Sequence, residues 1–135
     1  MKFQQSEFRL QTSRRSEFVD ITSKVREKIS ESGVSQGLCL VYSPHTSSGM
    51  TINQGVEPDV TPEIVEQLNK CFPWEDQYHH HEGNCACHVK TTIIGTSEKV
   101  IIKDGKILLG DCERIFFSEF NGPRPRVVFL EIIGE

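Results

Sequence analysis

The most constraining feature of this sequence is a β-hairpin signal in its last third. The segment that begins at Lys99 reads K-V-I-I-K, then Asp104 and Gly105, then K-I-L-L-G. An Asp-Gly pair between two apolar runs is the strongest short-range signal for a type I′ hairpin turn. Two further strand-like runs, 114–120 and 126–133, predict a second hairpin joined by N-G-P-R-P. The last third is therefore predicted to be all β.

Upstream of this hairpin, the pattern alternates between strands and helices. Residues 3–10 and 17–21 carry spaced apolar side chains, which predicts an edge strand paired with a second strand across T-S-R-R-S. The nearly continuous apolar run at 37–43, G-L-C-L-V-Y-S, predicts a central strand that is well buried. A further strand is predicted at 49–53.

Start and stop signals predict three helices. Strand is the alternative for 89–94, where Val, Thr and Ile favour β structure. The predicted helices are one capped by Thr22 or Ser23 that runs to Ser32 and stops at Gly33, one capped by Thr61 that runs to Phe72 and stops at Pro73, and one at 85–94 that is capped by Asn84 and ends at Gly95.

This order of elements predicts a single α+β domain over residues 1–135, in which a mostly antiparallel, sandwich-like sheet packs under two or three helices. The net charge of −4 disfavours binding to nucleic acid or to an anionic membrane. No apolar run is long enough to span a bilayer, and the N-terminus lacks the apolar core of a signal peptide. We therefore expect a cytoplasmic protein whose five cysteines are free thiols.

The segment 78–90, Y-H-H-H-E-G-N-C-A-C-H-V-K, holds four of the five histidines. Imidazole titrates near neutral pH and is the commonest protein ligand for transition metals. We expect His45, the fifth histidine, to fold back against this segment and complete a metal or acid–base site. A Cys–His nucleophile made by Cys87 and His88 is disfavoured, because adjacent residues on a helix do not face one another.

Anion-binding groups accompany these histidines. Thr46 and Ser47 follow His45 in a hydroxyl-rich loop, which can donate hydrogen bonds to a phosphate or a carboxylate. The helix predicted to start at Asn84 would present free N–H groups nearby. A structural loop is the competing interpretation of both features.

Three segments together closely resemble the YjbQ-like family, whose members are named secondary thiamine-phosphate synthase enzymes. These segments are H-T-S-S-G-M-T-I-N-Q-G-V-E-P-D-V at 45–60, Y-H-H-H-E-G-N-C-A-C-H-V-K at 78–90, and D-G-K-I-L-L-G with E-F-N-G-P-R-P-R near the end. The resemblance covers essentially the whole chain. It implies an α+β fold built around a β-sandwich, assembled as a homotrimer, with a metal-binding pocket of histidines.

The resemblance also implies roles for individual residues. It puts the metal on His45, His80 and His88, with zinc as the first choice and magnesium, manganese, nickel or iron as alternatives. His79 and His81 fall on variable positions of the family pattern. The implied phosphate or substrate ligands are Thr46, Ser47, Asn53, Asn84 and Arg124, and Asp59 or Glu82 would orient a ligand histidine or move a proton.

The chain departs from the family pattern in three places, one of which is Cys87, where alanine is common before His88. Gln54 stands where a glutamate is common, and Gly110 is followed by D-C-E instead of T-W-Q. The implied activity joins a hydroxymethylpyrimidine diphosphate to a thiazole phosphate with release of pyrophosphate. The alternatives are a metal-dependent hydrolase of a small phosphorylated metabolite and a non-catalytic trimer that binds a metal or an anion.

Overall fold

The computed structural model describes residues 1–80 and 83–135. This part of the chain contains eight strands and three helices. All strand pairs are antiparallel and form a five-stranded sheet, β1-β8-β3-β5-β6, and a three-stranded sheet, β2-β7-β4. The predicted α+β class is confirmed. In chain order the elements are β1 Lys2–Gln11, β2 Glu17–Asp20, α1 Thr22–Ser32, β3 Gly37–Tyr42, β4 Ser48–Gln54, α2 Val60–Cys71, α3 Cys85–Ile94, β5 Ser97–Lys103, β6 Lys106–Leu108, β7 Glu113–Glu119 and β8 Pro125–Gly134.

One core joins the two sheets and α1. Buried side chains alternate with more exposed ones along β3, β5 and β8, as expected for a sheet with one buried face, whereas residues 115–119 of β7 are all buried. Val25 and Ile29, four residues apart on α1, are almost fully buried against this core. The core residues from the sheets include Cys39, Val41, Met50, Val100, Ile102, Ile115, Phe117, Val128, Leu130 and Ile132.

Strand β3 is central in its sheet, as predicted, but the prediction that it is well buried holds for one face only. Cys39 and Val41 are fully buried, whereas Leu38, Leu40 and Tyr42 are between 36% and 41% exposed. The apolar run therefore alternates between the core and an uncovered outer face. Sequence alone does not distinguish a strand covered on both sides from one with an apolar outer face.

Two predicted hairpins were wrong, because the chain changes sheet where a turn was expected. Strand β1 pairs with β8, and β2 pairs with β7, so β1 and β2 do not form a hairpin. Strands β7 and β8, joined by N-G-P-R-P, likewise lie in different sheets. Turn residues indicate that the chain bends, but they do not specify which strands pair. The hairpin at Asp104 and Gly105 is confirmed, with positive φ at both residues.

A buried ion pair lies where the chain passes between the sheets. Arg126 at the start of β8 is 4% exposed, and Glu119 at the end of β7 is fully buried. The Arg126 guanidinium donates to both carboxylate oxygens of Glu119, with Nε 2.8 Å from Oε1. Glu119 also accepts from the Thr12 hydroxyl at 2.7 Å and from the Asn121 backbone N–H at 3.0 Å. The pair therefore connects β7, β8 and the end of β1.

The predicted helices are present with adjusted ends. Helix α1 ends at Gly33, which adopts a φ of 70°, but the Thr22 hydroxyl accepts from Ile115 N–H instead of capping the helix. Helix α2 begins earlier than predicted, with Asp59 at the N-cap position, and its apolar face is only half-buried. Helix α3 has the predicted bounds, so the strand alternative at 89–94 was wrong. Within the described ranges, none of the helices is long and apolar enough to cross a membrane.

Replacing Arg126 by methionine tests the importance of the buried pair. We expect Arg126→Met to lower the free energy of unfolding by about 3–5 kcal/mol, because it leaves the Glu119 carboxylate buried without its counter-charge. Urea denaturation followed by circular dichroism measures this loss. Arg124→Met is the matched control, since Arg124 is exposed. Equal stability of the two variants would contradict a structural role for the pair.

Candidate functional site

A cleft of ≈ 500 Å³ opens between the loop that follows β3 and helix α3. The loop contributes His45 and Thr46, and the helix contributes His88. Two of the three histidines predicted to bind a metal therefore line one cavity. The remaining lining residues are Tyr42, Ser43, Pro44, Thr91, Thr92, Gly95 and Thr96.

The loop that carries His45 is fixed at both ends by backbone contacts. Ser43 N–H donates to the Thr96 carbonyl at 2.8 Å, just beyond the end of α3. At its other end, the Ser47 carbonyl accepts from Phe120 N–H at 3.1 Å and from Arg126. These contacts hold the loop against α3, so the cleft does not depend on a free-standing loop.

Glycine is needed where β4 meets the end of α3. A Cβ atom at Gly49 would overlap the Gly95 carbonyl oxygen, closer than real contacts allow. Met50 N–H donates to the same oxygen at 3.0 Å. The close approach of these two backbones positions α3, and with it His88, beside the loop.

The His45 ring is anchored on β8. Its Nε2 lies 3.1 Å from the carbonyl oxygen and 3.2 Å from the amide nitrogen of Val127. The ring meets Phe117 edge-on, with ring centroids 6.4 Å apart. Burial and the neighbouring positive charge of Arg126 lower the pKa of His45 below its ordinary value. Lowering of this pKa favours the neutral ring, and with Nε2 engaged at Val127, Nδ1 is the ring nitrogen left for another partner.

His88 is oriented by the same loop and lies next to His80. Its Nδ1 is 2.9 Å from the Thr46 carbonyl oxygen. Because a carbonyl oxygen only accepts, Nδ1 carries a proton, and Nε2 is the ring nitrogen left for another partner. The ring centroids of His80 and His88 are 5.3 Å apart. Two imidazoles that share a tetrahedral zinc ion place their ring centres about 5 Å apart, so the ring spacing by itself is compatible with a shared metal.

The complete metal site predicted from the sequence is not assembled in the described part of the chain. Within residues 1–80 and 83–135, no group of three His, Cys, Asp or Glu side chains is close enough to hold one ion. His80 and His88 lie together, and His45 lines the cleft that His88 also lines. Glu82, predicted as a catalytic residue, lies outside the described residues.

The predicted phosphate ligands have different surroundings. Thr46 is exposed and lines the cleft. The Ser47 hydroxyl is buried and accepts a hydrogen bond from Arg126 at 2.9 Å, so it stabilises the buried side of the loop. Arg124 is exposed, and its charge acts on His45. Asn84 is the N-cap residue of α3, and its buried Oδ1 has no hydrogen-bond partner among residues 1–80 and 83–135. An amide oxygen is an acceptor, so it would receive a hydrogen-bond donor or a cation and not a phosphate oxygen.

Asn53 and Asp59 lie outside the cleft lining. Asn53 is on β4, and its Oδ1 accepts from the Gln54 backbone N–H at 2.8 Å. Asp59 is exposed at the start of α2. Gln54, which replaces the common glutamate, accepts from the backbone of Val56 at 2.7 Å and so stabilises a turn. The catalytic role of Asp59 and the substrate role of Asn53 stay predictions.

The thiols on α3 contribute packing to this site. The Cys87 side chain is fully buried and its Sγ lies 2.8 Å from the Asn84 carbonyl oxygen. Burial raises the pKa of Cys87, which disfavours the thiolate that a nucleophile requires. All five cysteines are free, as expected.

Arg126 and Glu119 were not predicted from the sequence, although this buried pair holds the loop that carries His45. A signal for both was present in the strand pattern. Arg126 shares the inward register of Val128, Leu130 and Ile132, and Glu119 continues that of Ile115 and Phe117. A charge at an inward strand position requires a buried partner.

Comparison with known proteins identifies the family. The sequence model described as "UPF0047 protein YjbQ-like" matches residues 6–135. The chain belongs to the UPF0047 (YjbQ-like) family. It is 43% identical over 128 residues to a UPF0047 protein of Methanocaldococcus jannaschii, covering 95% of this chain and 93% of that one. It is 38% identical over 126 residues to UPF0047 protein YugU of Bacillus subtilis, covering 93% and 96%.

Solved structures of UPF0047 proteins have the same fold. A Clostridium acetobutylicum member of the family superposes with a TM-score of 0.93 at 46% identity, covering 95% of this chain and 99% of that chain. A YjbQ-like protein from Sulfolobus solfataricus gives a TM-score of 0.95 at 27% identity, covering 99% of both. The resemblance in the sequence motifs is thus confirmed at the level of family and fold, while the chemistry has to be argued from the cleft.

The neutral state of His45 predicts a specific pH dependence of stability. Because the folded pKa of His45 is lower than the unfolded one, its stabilising effect is present above about pH 6.5 and is lost as the pH falls through the folded pKa. We expect wild type to lose stability more steeply than His45→Gln between about pH 7 and pH 5. Urea midpoints of both proteins at each pH measure this. A difference between them that is constant over this range would contradict the assignment.

Proposed function

We propose that the cleft of this UPF0047 protein binds the phosphate group of a small metabolite beside a divalent metal ion and catalyses a reaction at that phosphate. The observation that carries the proposal is the orientation of His88. Its Nδ1–H donates to the Thr46 carbonyl, which leaves Nε2 as a ligand next to the His80 ring. Metal-binding histidines typically donate their second N–H to a backbone carbonyl in this way.

The hydrogen-bonding state of the cleft threonines indicates which groups would hold the phosphate. Thr91 and Thr92 donate their hydroxyl protons to the Cys87 and His88 carbonyls, at 2.8 and 2.9 Å. These hydroxyls therefore have no proton left for a phosphate oxygen. In our proposal Thr46 and Thr96, which also line the cleft, donate to the phosphate.

Charge and proton transfer in this proposal come from the cleft and its surroundings. Arg124 does not line the cleft, but its positive charge is close enough to lower the pKa of His45. In the tautomer in which His45 Nε2–H donates to the Val127 carbonyl, its Nδ1 would serve either as the third metal ligand or as the group that accepts a proton from an attacking hydroxyl. The metal, when bound, stabilises negative charge on the phosphate oxygens. Zinc is the expected ion, because the proposed ligands are imidazoles.

Two reactions are compatible with this site. The family resemblance suggests the thiamine-phosphate synthase reaction, which joins a pyrimidine diphosphate to a thiazole phosphate. The cleft lining favours hydrolysis of a smaller phosphorylated metabolite. Among the described lining residues, Tyr42 is the only Phe, Tyr or Trp, so the cleft offers little aromatic surface for stacking a pyrimidine and a thiazole ring. Cys112, which replaces the tryptophan common in the family, is exposed and lies outside that lining.

Metal content and product release test the proposal with one variant pair. We expect His88→Ala to lose its stoichiometric metal and to lower turnover by about 100-fold. His79→Ala is the matched control, because His79 is exposed in the same segment. Metal is measured by plasma mass spectrometry of the purified protein, and phosphate and pyrophosphate release are measured by colorimetric assay.

The outcomes separate the candidate functions. Pyrophosphate release that requires both the pyrimidine and the thiazole substrate supports the synthase, and phosphate release with water alone supports the hydrolase. Binding without turnover supports a non-catalytic module. A His88→Ala variant that retains full metal content and activity would rule out the proposed metal role.

We also propose that the outer face of the five-stranded sheet is the interface of a homotrimer, as the resemblance implies. Exposed apolar side chains there form a groove of ≈ 480 Å³ that includes Leu40, Tyr42 and Phe129. Uncovered apolar surface of this kind is typical of interaction sites. Tyr42 also lines the histidine cleft, so assembly would bring a neighbouring subunit close to the site.

A charge at the centre of this face should prevent assembly. We expect Phe129→Glu to elute as a monomer in size-exclusion chromatography with light scattering, because each interface would bury a carboxylate without a partner. Val56→Glu, a change at an exposed apolar residue outside the sheet, is the control and should stay trimeric. A trimeric Phe129→Glu protein would count against this interface.

A further inference from the structure

A buried lysine on α3 points away from the histidine cleft. Lys90 is 2% exposed, and its Nζ donates to Asn69 Oδ1 on α2 at 2.6 Å. Among the described residues, no carboxylate forms an ion pair with it. A buried ammonium group whose hydrogen-bond partner is a neutral amide is costly unless negative charge is supplied from elsewhere.

Asn69 is also part of the wall of a second pocket, of ≈ 420 Å³. This pocket lies between α2, the β1–β2 loop and the segment after α2. Arg14 and Arg15 line it from the loop, and Trp74 lines it from the segment after α2. The Arg15 guanidinium stacks over Trp74, with its carbon 4.1 Å from the ring centroid.

The guanidinium groups of this pocket have no ion-pair partner among the described residues. Neither Arg14 nor Arg15 takes part in an ion pair within residues 1–80 and 83–135. Glu17, the acidic residue closest to them in sequence, accepts from the backbone N–H groups of Ser13 and Arg14, the latter at 2.9 Å. Its carboxylate therefore holds the loop and does not pair with the guanidinium groups.

The second pocket and the histidine cleft are on different sides of α3. Two residues along an α-helix differ by about 200° in direction, so His88 and Lys90 point nearly opposite ways. His88 contacts Thr46 at the cleft, and Lys90 contacts Asn69 on α2. The two lining sets share no residue. A ligand in the second pocket would thus be separate from the substrate proposed for the cleft.

We propose that this pocket is a second oxyanion site, which binds the phosphate group of a small metabolite between Arg14, Arg15 and the Asn69 amide. Two guanidinium groups offer paired N–H donors that match phosphate oxygens. A pocket of this volume fits a small molecule, and the net charge of −4 disfavours nucleic acid as the source of the phosphate.

Lys90 orients Asn69 for this role. An ammonium group only donates, so Asn69 must turn its carbonyl oxygen toward Lys90 and keep its NH₂ group for another acceptor. Asn69 is exposed and lines the pocket, so that NH₂ group is the end available to a bound phosphate. Lys90 itself contributes positive charge behind the amide.

Trp74 provides a direct probe, because it is the only tryptophan in the chain. Wild-type protein is titrated with inorganic phosphate at constant ionic strength, with chloride as the reference anion, while tryptophan fluorescence and the heat of binding are recorded. We expect saturable binding by both measurements. Arg14→Gln and Asn69→Asp should each raise the Kd for phosphate by about tenfold or more, since each removes a donor or adds a repelling charge.

Two controls locate the binding. Lys70→Gln removes a positive charge from α2 at an exposed residue paired with Glu66, and it should leave the Kd unchanged. His88→Ala alters the cleft on the other side of α3 and should leave the fluorescence titration unchanged, whether or not the proposed function of that cleft is right. Arg14 and Asn69 are both exposed, so their variants are expected to fold.

The proposal is overturned by either of two results. One is the absence of saturable phosphate binding to wild type, beyond the effect of chloride, in both measurements. The other is an unchanged Kd in Arg14→Gln and Asn69→Asp. A titration abolished by His88→Ala but not by these two variants would assign the bound phosphate to the cleft instead, and would also overturn the second site.

Discussion

The buried pair of Arg126 and Glu119 is the interaction on which both the sandwich and the cleft depend. Glu119 ends a strand of the small sheet, and Arg126 begins a strand of the large one. The same guanidinium donates to Ser47 and so fixes the loop that carries His45. The next residue, Val127, contacts the His45 ring. Placing a charge pair in the core is costly, but here all of these groups are satisfied by one another.

This arrangement explains why the candidate site lies at the junction of the sheets. Loops that cross from one sheet to the other must bury backbone polar groups, and these groups need partners. The β3–β4 loop finds its partners in Arg126 and in the end of α3. His45 and His88, which are 43 positions apart in the sequence, consequently line one cleft. A rigid support of this kind is what a metal or phosphate site requires.

Local signals in the sequence predicted local structure, but they did not predict which distant strands pair. The turn at Asp104 and Gly105 and the bounds of α3 depend on a few adjacent residues, so they were predicted correctly. The partner of β8 depends on which strands bury their apolar faces together, and N-G-P-R-P gave no information about it. The resemblance to a known family supplied the fold that local patterns left open.

The same distinction holds for the site, where residue type and strand register carry different information. Histidines stand out by type, so His45 and His88 are recognisable as candidate ligands from the sequence alone. Arg126 and Lys90 look like ordinary surface charges, because arginine and lysine are mostly exposed in proteins. Arg126 is nevertheless marked by its strand register, since it alternates with Val128, which faces the core. Lys90 has no such mark, because its burial depends on the packing of α3 against Asn69 of α2. A charged residue at an inward-facing position of a strand is therefore evidence for a buried partner. The burial of a charged residue on a short helix has to be judged from the elements that pack against the helix.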